Sequence, residues 1–160
     1  MAISHRMELV DLVPNSLTFR VINTTDVNDE ADIPDGYTGR VRRYLEGSLV
    51  YVAWYRDGLL QNPGRSNPAY RRLRSDGKVK YELFYSHGVL DDPASGAPAV
   101  RGFYANGAVH YEEHYRDGKR NDADDGSPAV RKWRNDGSVR HELRYVEGRR
   151  SARPRAMLTA

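Results

Sequence analysis

Two histidines lie four residues apart in the segment His110-Tyr-Glu-Glu-His114. The spacing is close to the zinc-binding pattern His-Glu-x-x-His, in which a helix places both imidazoles on one face. Here the glutamate does not directly follow the first histidine, and the surrounding alternation predicts a strand. On a strand the two side chains lie about 13 Å apart, which is too far for one zinc ion. We therefore predict no metal site.

Carboxylates cluster in Asn121-Asp122-Ala-Asp124-Asp125-Gly126 and, thirty residues earlier, in Asp91-Asp92. A calcium loop requires Asp or Asn at three alternating positions followed by glycine, and a glutamate at position 12, and this segment has neither feature. Aspartate is also common in loops because its side chain accepts hydrogen bonds from nearby backbone N–H groups. We expect these residues to form turns and to bind no cofactor.

The composition removes further classes of chemistry. The 160 residues include no cysteine, which excludes disulfides and thiolate nucleophiles. No phosphate-binding loop or nucleophile motif is present, and Glu113 is the one carboxylate that breaks an apolar column. No apolar run approaches the roughly 20 residues of a membrane span. We predict a protein that is not an enzyme, has no membrane span and is cytoplasmic or virion-associated.

Charge is divided unevenly along the chain. Residues 1–37 contain two basic and seven acidic residues, a net charge of −5, whereas the rest has 23 Lys and Arg against 15 Asp and Glu, a net charge of +8. The acidic run 26–35 is either a solvated linker or an arm that docks on a basic surface. The candidate binding residues in the two terminal segments are Asp29, Glu30, Arg149, Arg150, Arg153 and Arg155.

An internal period of thirty residues organises the remainder of the chain. Proline recurs at 68, 98 and 128, and glycine recurs at 47, 77, 107 and 137 and again at 58, 88, 118 and 148. These columns divide the chain into an N-terminal acidic arm or capping segment (1–37), four units (38–67, 68–97, 98–127 and 128–157) and a tail (158–160). A fixed period of this kind indicates a repeat architecture with divergent ends. The stretch 17–23 is a candidate capping strand.

Each unit is predicted to be a β-hairpin. Asp76-Gly77, Asn106-Gly107 and Asp136-Gly137 separate two strand-like runs, which is typical of a two-residue type I′ turn. That turn places three oppositely charged pairs across the strands, with Val41 and Val52 at the equivalent positions of the first unit. The predicted pairs are Arg71–Glu82, Arg101–Glu112 and Arg131–Glu142.

The two faces of the predicted sheet differ in composition. Val79, Tyr81, Leu83 and their equivalents make one face the candidate core. The opposite face carries the charged pairs together with a column of large apolar residues that includes Phe103 and Trp133, two further candidate binding residues. Because neither face is wholly polar, we expect the sheet to be curled or partly covered on both sides.

The segment Phe103-Tyr-Ala-Asn-Gly107-Ala-Val109-His-Tyr111-Glu112-Glu-His-Tyr115-Arg-Asp-Gly118 resembles the MORN-type hairpin repeat and its bacterial variants. The thirty-residue period, with Asp125-Gly-Ser-Pro-Ala-Val130, is similar to tandem repeats of tailed-phage and large-virus proteins. The resemblance covers about 38–157. It implies an all-β, antiparallel hairpin-repeat sheet, and MORN repeats elsewhere bind proteins or lipid head groups.

Two functions are consistent with this sequence. The first is a non-catalytic structural or interaction protein, such as a minor structural or decoration component of a phage virion or similar assembly, including self-association. The second is a regulatory protein-binding module of the antitoxin or anti-defence kind. Arginine beside tyrosine can also bind nucleic acid, but the predicted Arg–Glu pairs cancel the local field, so nucleic-acid binding is disfavoured. The expected partners are proteins.

Overall fold

The computed structural model of the chain describes residues 5–12, 21–27 and 33–152. Every regular element in these ranges is a β-strand, which confirms the all-β prediction, and none is a helix that could cross a membrane. The strands are β1 (His5–Leu12), β2 (Val21–Val27), β3 (Gly39–Leu45), β4 (Ser48–Arg56), β5 (Leu59–Leu60), β6 (Tyr70–Leu73), β7 (Val79–Leu83), β8 (Tyr85–Ser86), β9 (Val89–Leu90), β10 (Val100–Phe103), β11 (Val109–Glu113), β12 (Tyr115–Arg116), β13 (Lys119–Arg120), β14 (Val130–Trp133), β15 (Val139–Val146) and β16 (Arg149–Ser151).

One antiparallel sheet runs through the whole described chain. Its strand order is β2-β1-β3-β4-β6-β7-β10-β11-β14-β15-β16, so neighbours in sequence are mostly neighbours in space. Strand β5 extends the sheet beside β4, whereas β8–β9 and β12–β13 form separate short hairpins. The N-terminal segment adds two strands, with β1 against β3 and β2 outside it. The predicted capping strand 17–23 therefore overlaps β2 only in part, and 13–20 lies outside the described residues.

The turns at Gly77, Gly107 and Gly137 differ from the predicted type I′ form. Each loop has three residues, because Arg74 N–H donates to Lys78 O and Gly77 N–H donates to Arg74 O. Gly77 has a φ of +82°, but Asp76 is not in the left-handed region that a type I′ turn requires at both positions. The Asp76 side chain instead accepts the Lys78 N–H at 3.0 Å. In the next two units the side chains of Asn106 and Asp136 accept the N–H groups of Ala108 and Ser138.

A β-bulge restores the predicted register beyond each of these loops. The longer loop moves Leu73 from its predicted partner Lys80 to Val79. Lys80 is then the extra residue of the bulge, and Arg72 returns to its predicted partner Tyr81. The same shift occurs after Phe103 and after Trp133.

The first unit has a different register, and the predicted Val41–Val52 pair is wrong. Its turn has only two residues, with Leu45 opposite Ser48 and with positive φ at both Glu46 and Gly47. A bulge follows here as well, but no longer loop compensates for it. As a result Val41 lies opposite Ala53, and Val52 lies opposite Arg42.

A second set of turns forms the true type I′ hairpins. His87 and Gly88 have φ of +49° and +82° between Ser86 and its partner Val89, and the turns at 57–58, 117–118 and 147–148 have the same geometry. These hairpins stack on one another along the sheet. A Cβ added to Gly88 would lie 3.1 Å from Leu59, and one added to Gly118 would lie 3.4 Å from Val89.

The buried residues concentrate at the N-terminal end of the sheet. The largest cluster contains Met7, Leu9, Tyr37, Val41, Tyr51 and Ala53. Further along, Val100 and Val130 continue the row on the face predicted to be the core, while Tyr81 and Leu83 are only half-buried. Ala69, Ala99 and Ala129, the residues after the recurring proline, have no exposed surface at all.

The turn geometry gives a direct test at Gly107. Its φ is +87°, and nothing lies within 4 Å of an added Cβ, so a substitution is opposed by backbone conformation alone. We expect Gly107→Val to lower the free energy of unfolding by about 1–2 kcal/mol, and Ala105→Val, in the same exposed loop but without a positive φ, to cost less. Equal shifts of the thermal midpoint for the two variants would contradict the assigned turn.

Candidate functional site

The predicted charged pairs face one another across the strands. Nε of Arg71 donates to Glu82 at 2.8 Å, and the Arg101–Glu112 and Arg131–Glu142 pairs each form the same bond at 2.7 Å. The register predicted from the sequence is therefore confirmed at these six positions. Because the arginines are about one-third or more exposed, each pair contributes at most about 1 kcal/mol. Their main effect is to specify the register.

These pairs belong to one row that crosses nine strands. Arg101 also lies opposite Glu82 of the preceding unit, and Glu112 also lies opposite Arg131 of the following unit. At the N-terminal end the row continues through Arg42 to Glu8, whose carboxylate is 3.5 Å from the guanidinium. From β1 to β15 the row reads Glu8, Arg42, Val52, Arg71, Glu82, Arg101, Glu112, Arg131 and Glu142, and Asp26 of β2 lies opposite Glu8.

Val52 is the one uncharged residue in this row. It lies directly between Arg42 on β3 and Arg71 on β6, where the alternation would otherwise place a carboxylate. A cleft of about 330 Å³ opens here, with Leu49, Val52 and Trp54 among its lining residues. Arg40 lies in the same cleft.

Arg40 is the least compensated cation in this region. Its Nε is buried and has no hydrogen-bond partner among the described residues. Its guanidinium lies 5.6 Å from the centre of the Trp54 ring, at the distance of a cation–π contact. Burial, followed by the neighbouring charge of Arg42, lowers the pKa of Arg40 from its usual value. Such an environment stabilises any anion that enters it.

A second set of polar residues lies in the loops that join successive units. Oδ1 of Asp92 accepts two N–H groups of the following unit, that of Ala99 at 2.7 Å and that of Tyr115 at 3.0 Å. Equivalent oxygens accept equivalent amides thirty residues earlier and thirty residues later, at Asn62 and Asp122. We call these three residues the loop staples.

The second carboxylate oxygen of the two aspartate staples also has a side-chain partner. Oδ2 of Asp92 lies 2.6 Å from Nδ1 of His114, and Oδ2 of Asp122 lies 3.1 Å from the Arg144 guanidinium. Asp122 is 1% exposed, so an unpaired charge there would be costly. At the equivalent positions of the preceding unit both residues are uncharged, namely Asn62 and Phe84.

The residue before each staple binds the next short hairpin. Side-chain oxygens of Gln61, Asp91 and Asn121 accept the backbone N–H groups of His87, Asp117 and Glu147. The aspartates of the loops are thus engaged in the fold, but Asp91, Asp92 and Asp122 bind amides 7 to 26 residues away rather than the nearby amides of a turn. Asp125, in contrast, accepts a local amide, the N–H of Ser127. Among the described residues no group of His, Asp and Glu is arranged to hold a metal ion.

Glu113 and the two nearby histidines are also accounted for by packing. The Glu113 carboxylate accepts two bonds from Arg120, at 2.9 and 3.1 Å, and one from the Tyr115 hydroxyl at 3.0 Å. His110 stacks on Tyr104 with ring centres 4.2 Å apart, whereas His114 is buried against Asp92. The carboxylate that breaks the apolar column is therefore paired within its own unit.

The structure places the predicted binding residues in separate regions. Phe103 and Trp133 are half-buried, and their carbonyls accept bonds from Arg74 at 2.7 Å and from the Tyr104 hydroxyl at 2.8 Å. Arg149 and Arg150 are exposed on β16. Asp29, Glu30, Arg153 and Arg155 lie outside the described residues. A binding role for these residues stays a prediction.

Sequence reasoning missed both the loop staples and the arginine cleft. A correlated change in the sequence could have revealed the staples. Asn62 is followed 22 residues later by phenylalanine, whereas Asp92 and Asp122 are followed at the same distance by histidine and arginine. The cleft depends on the bulge after the first turn, which brings Val52 opposite Arg42.

Comparisons of the chain with protein-family models, with curated proteins and with solved structures found no match. We therefore infer its function from the geometry of the chain.

The staples predict a large effect at Asp92. Replacing Asp92 by Ala leaves the amides of Ala99 and Tyr115 without their acceptor, and we expect a loss of about 2–4 kcal/mol in the free energy of unfolding. Asp124→Ala is the matched control, because that side chain is 83% exposed in the following loop. Its expected cost is below about 1 kcal/mol. Chemical denaturation measures both, and equal losses would refute the staple role.

The contact between Asp92 and His114 predicts that these two residues can be replaced together at a smaller cost than separately. The double variant Asp92→Asn, His114→Phe reproduces the Asn62 and Phe84 combination of the preceding unit. We expect it to be more stable than the sum of the two single variants predicts, because each single change leaves one polar group without its partner. A double-mutant cycle with no coupling between the two positions would show that they do not act together.

Proposed function

We propose that this chain is a non-catalytic protein-interaction module built of MORN-like hairpin units, of the kind that serves as a minor structural component of a virion or a similar assembly. The observation that carries the proposal is the open C-terminal end of the main sheet. Residues 139–143 of β15 pair with β14 on one side, and no described strand pairs with them on the other.

The corresponding strands inside the sheet are all paired on both sides. Residues 81–83 of β7 bind β10, and residues 111–113 of β11 bind β14. The bulges at 80 and 110 do not prevent this pairing, so the bulge at 140 is no obstacle to a further strand. Residues 139–142 are exposed, and Val139 is 49% exposed.

The outward hydrogen-bonding groups at this end can be identified. His114 N–H donates to Ala129 O of the following unit, and backbone groups alternate in direction along a strand. The groups of Glu112, two residues earlier, therefore point towards the next unit, and those of Glu142 point to the open edge. An extended segment of a partner could bind there by β-strand addition.

The inner pairings also indicate what a partner strand should carry. Glu82 and Glu112 each meet an arginine of the next strand, while Leu83 meets Val100. The edge presents Glu142 and Leu143 in the same arrangement. A strand with a basic residue beside an aliphatic one is therefore complementary, whether it belongs to another copy of the chain or to another protein of the assembly.

A proline at position 142 tests this proposal. Glu142→Pro removes the outward N–H, whereas Glu142→Gln removes the charge and keeps the N–H, so the pair separates strand addition from loss of the Arg131 contact. We expect wild type and Glu142→Gln to enter larger assemblies in sedimentation velocity and in particles isolated from the source cells. We expect the assembled fraction of Glu142→Pro to be at least about tenfold lower, because backbone hydrogen bonds provide the affinity of strand addition.

A chain that stays monomeric and is absent from isolated particles would overturn the proposal. A stoichiometric complex with one soluble protein would instead favour the regulatory binding module. Equal assembly of Glu142→Pro and Glu142→Gln would move the contact away from β15.

A further inference from the structure

The charged row shows what its arginines normally bind. Arg101 and Arg131 each have a glutamate on both cross-strand sides, whereas Arg71 has Glu82 on one side and Val52 on the other. Arg42 likewise has Glu8 on one side, at the longer distance of 3.5 Å, and Val52 on the other. Two guanidinium groups thus flank one position that lacks a carboxylate.

The third cation of the cleft adds to this imbalance. The Nε–H group of Arg40 is buried and has no acceptor among the described residues. Leaving a buried donor unpaired is unfavourable. No carboxylate among the described residues forms an ion pair with Arg40 within 4.0 Å. An anion in the cleft would meet three guanidinium groups whose charges are only partly balanced.

Apart from Asn67, the rest of the cleft is lined by apolar residues. Val52, Leu49 and Trp54 are half-buried, and Pro63 and Pro68 line the same space of about 330 Å³. Arginines beside an exposed aromatic and aliphatic surface suit a ligand that carries a carboxylate next to an apolar group. Adjacent side chains of a polypeptide provide that combination.

We propose that the cleft formed by Arg40, Arg42 and Arg71 around Val52 binds an acidic segment of a protein partner, with a glutamate or aspartate in the missing position of the row and a neighbouring apolar side chain against Trp54. This site is separate from the β15 edge. It is a second interaction surface, and its charge indicates the chemistry of the partner segment that binds there.

The charges beside the cleft favour a single carboxylate over an extended polyanion. Glu8 and Glu82 occupy the next positions of the row on either side, so a ligand with several closely spaced phosphates would meet negative charge in both directions. A side-chain carboxylate reproduces the Arg–Glu geometry found elsewhere in the row, where Nε and the carboxylate oxygen are 2.7–2.8 Å apart. A protein segment is therefore the better match than a nucleic acid.

Val52→Glu is the sharpest variant for this proposal. It places a carboxylate of the chain between Arg42 and Arg71 and completes the alternation of the row. We expect the variant to unfold at a higher temperature than wild type and to lose binding of an acidic peptide. Loss of binding by a variant that unfolds at a higher temperature than wild type could not be attributed to unfolding.

The binding experiment uses the full chain and a fluorescein-labelled peptide of alternating Glu and Leu, measured by fluorescence anisotropy. Peptides of alternating Gln and Leu and of Glu alone serve as ligand controls, with inorganic phosphate as a competitor. We expect Arg40→Gln and Arg71→Gln each to weaken binding about tenfold. We expect Arg101→Gln, which removes an arginine already paired on both sides, to leave the affinity unchanged.

Several results would overturn the proposal. If the Gln-Leu peptide binds as tightly as the Glu-Leu peptide, charge is not recognised. If the peptide of Glu alone binds as tightly as the Glu-Leu peptide, the apolar residues that line the cleft do not contribute to binding. Displacement of the peptide by phosphate at low concentration would identify a free-anion site instead. Unchanged binding by Val52→Glu would place the contact elsewhere. Since none of these variants alters β15, they leave the strand-addition test unaffected.

Discussion

The architecture depends on one repeated interaction, in which a single side-chain oxygen of one unit accepts two backbone N–H groups of the following unit. Oδ1 of Asp92 accepts the amide N–H of Ala99, a residue that is completely buried. The same atom bonds the amide of Tyr115 at the start of the next short hairpin. A loop that returns to the sheet must satisfy the amides it buries. These staples do so, and they also fix where the next unit begins.

The charged row specifies register on the sheet that the staples hold together. A slip of one residue would move every arginine and glutamate of the row to the opposite face. The row is broken where the first unit departs from the others. There the shorter turn at Glu46 and Gly47 leaves a bulge uncompensated, and Val52 lies between two arginines. The same local change explains both the failed pairing at Val41 and the uncompensated cations of the cleft.

The sequence predicts the strands, the glycine turns and the charged pairs because these follow from local chemistry and from the period. The predicted Arg–Glu pairs are correct although the predicted turn is not. Each loop is one residue longer than expected, and the bulge that follows restores the predicted register. Bulges have no signature at Lys80, His110 or Arg140, which share no residue type. The staples were assigned to turns because their partners lie 7 and 23 residues away, beyond the reach of any loop motif.

The staple oxygens are expected to protect two specific amides in each unit that follows a staple from exchange with solvent. Native-state hydrogen exchange measures this directly, because the amides of Ala99 and Tyr115 have no described acceptor other than Asp92. The account predicts that both exchange as slowly as the paired amides of β10 and β11. It also predicts that Asp92→Ala accelerates these two amides far more than those of Ala129 and Tyr145, which Asp122 holds. Fast exchange of Ala99 and Tyr115 in the wild-type chain would contradict the account.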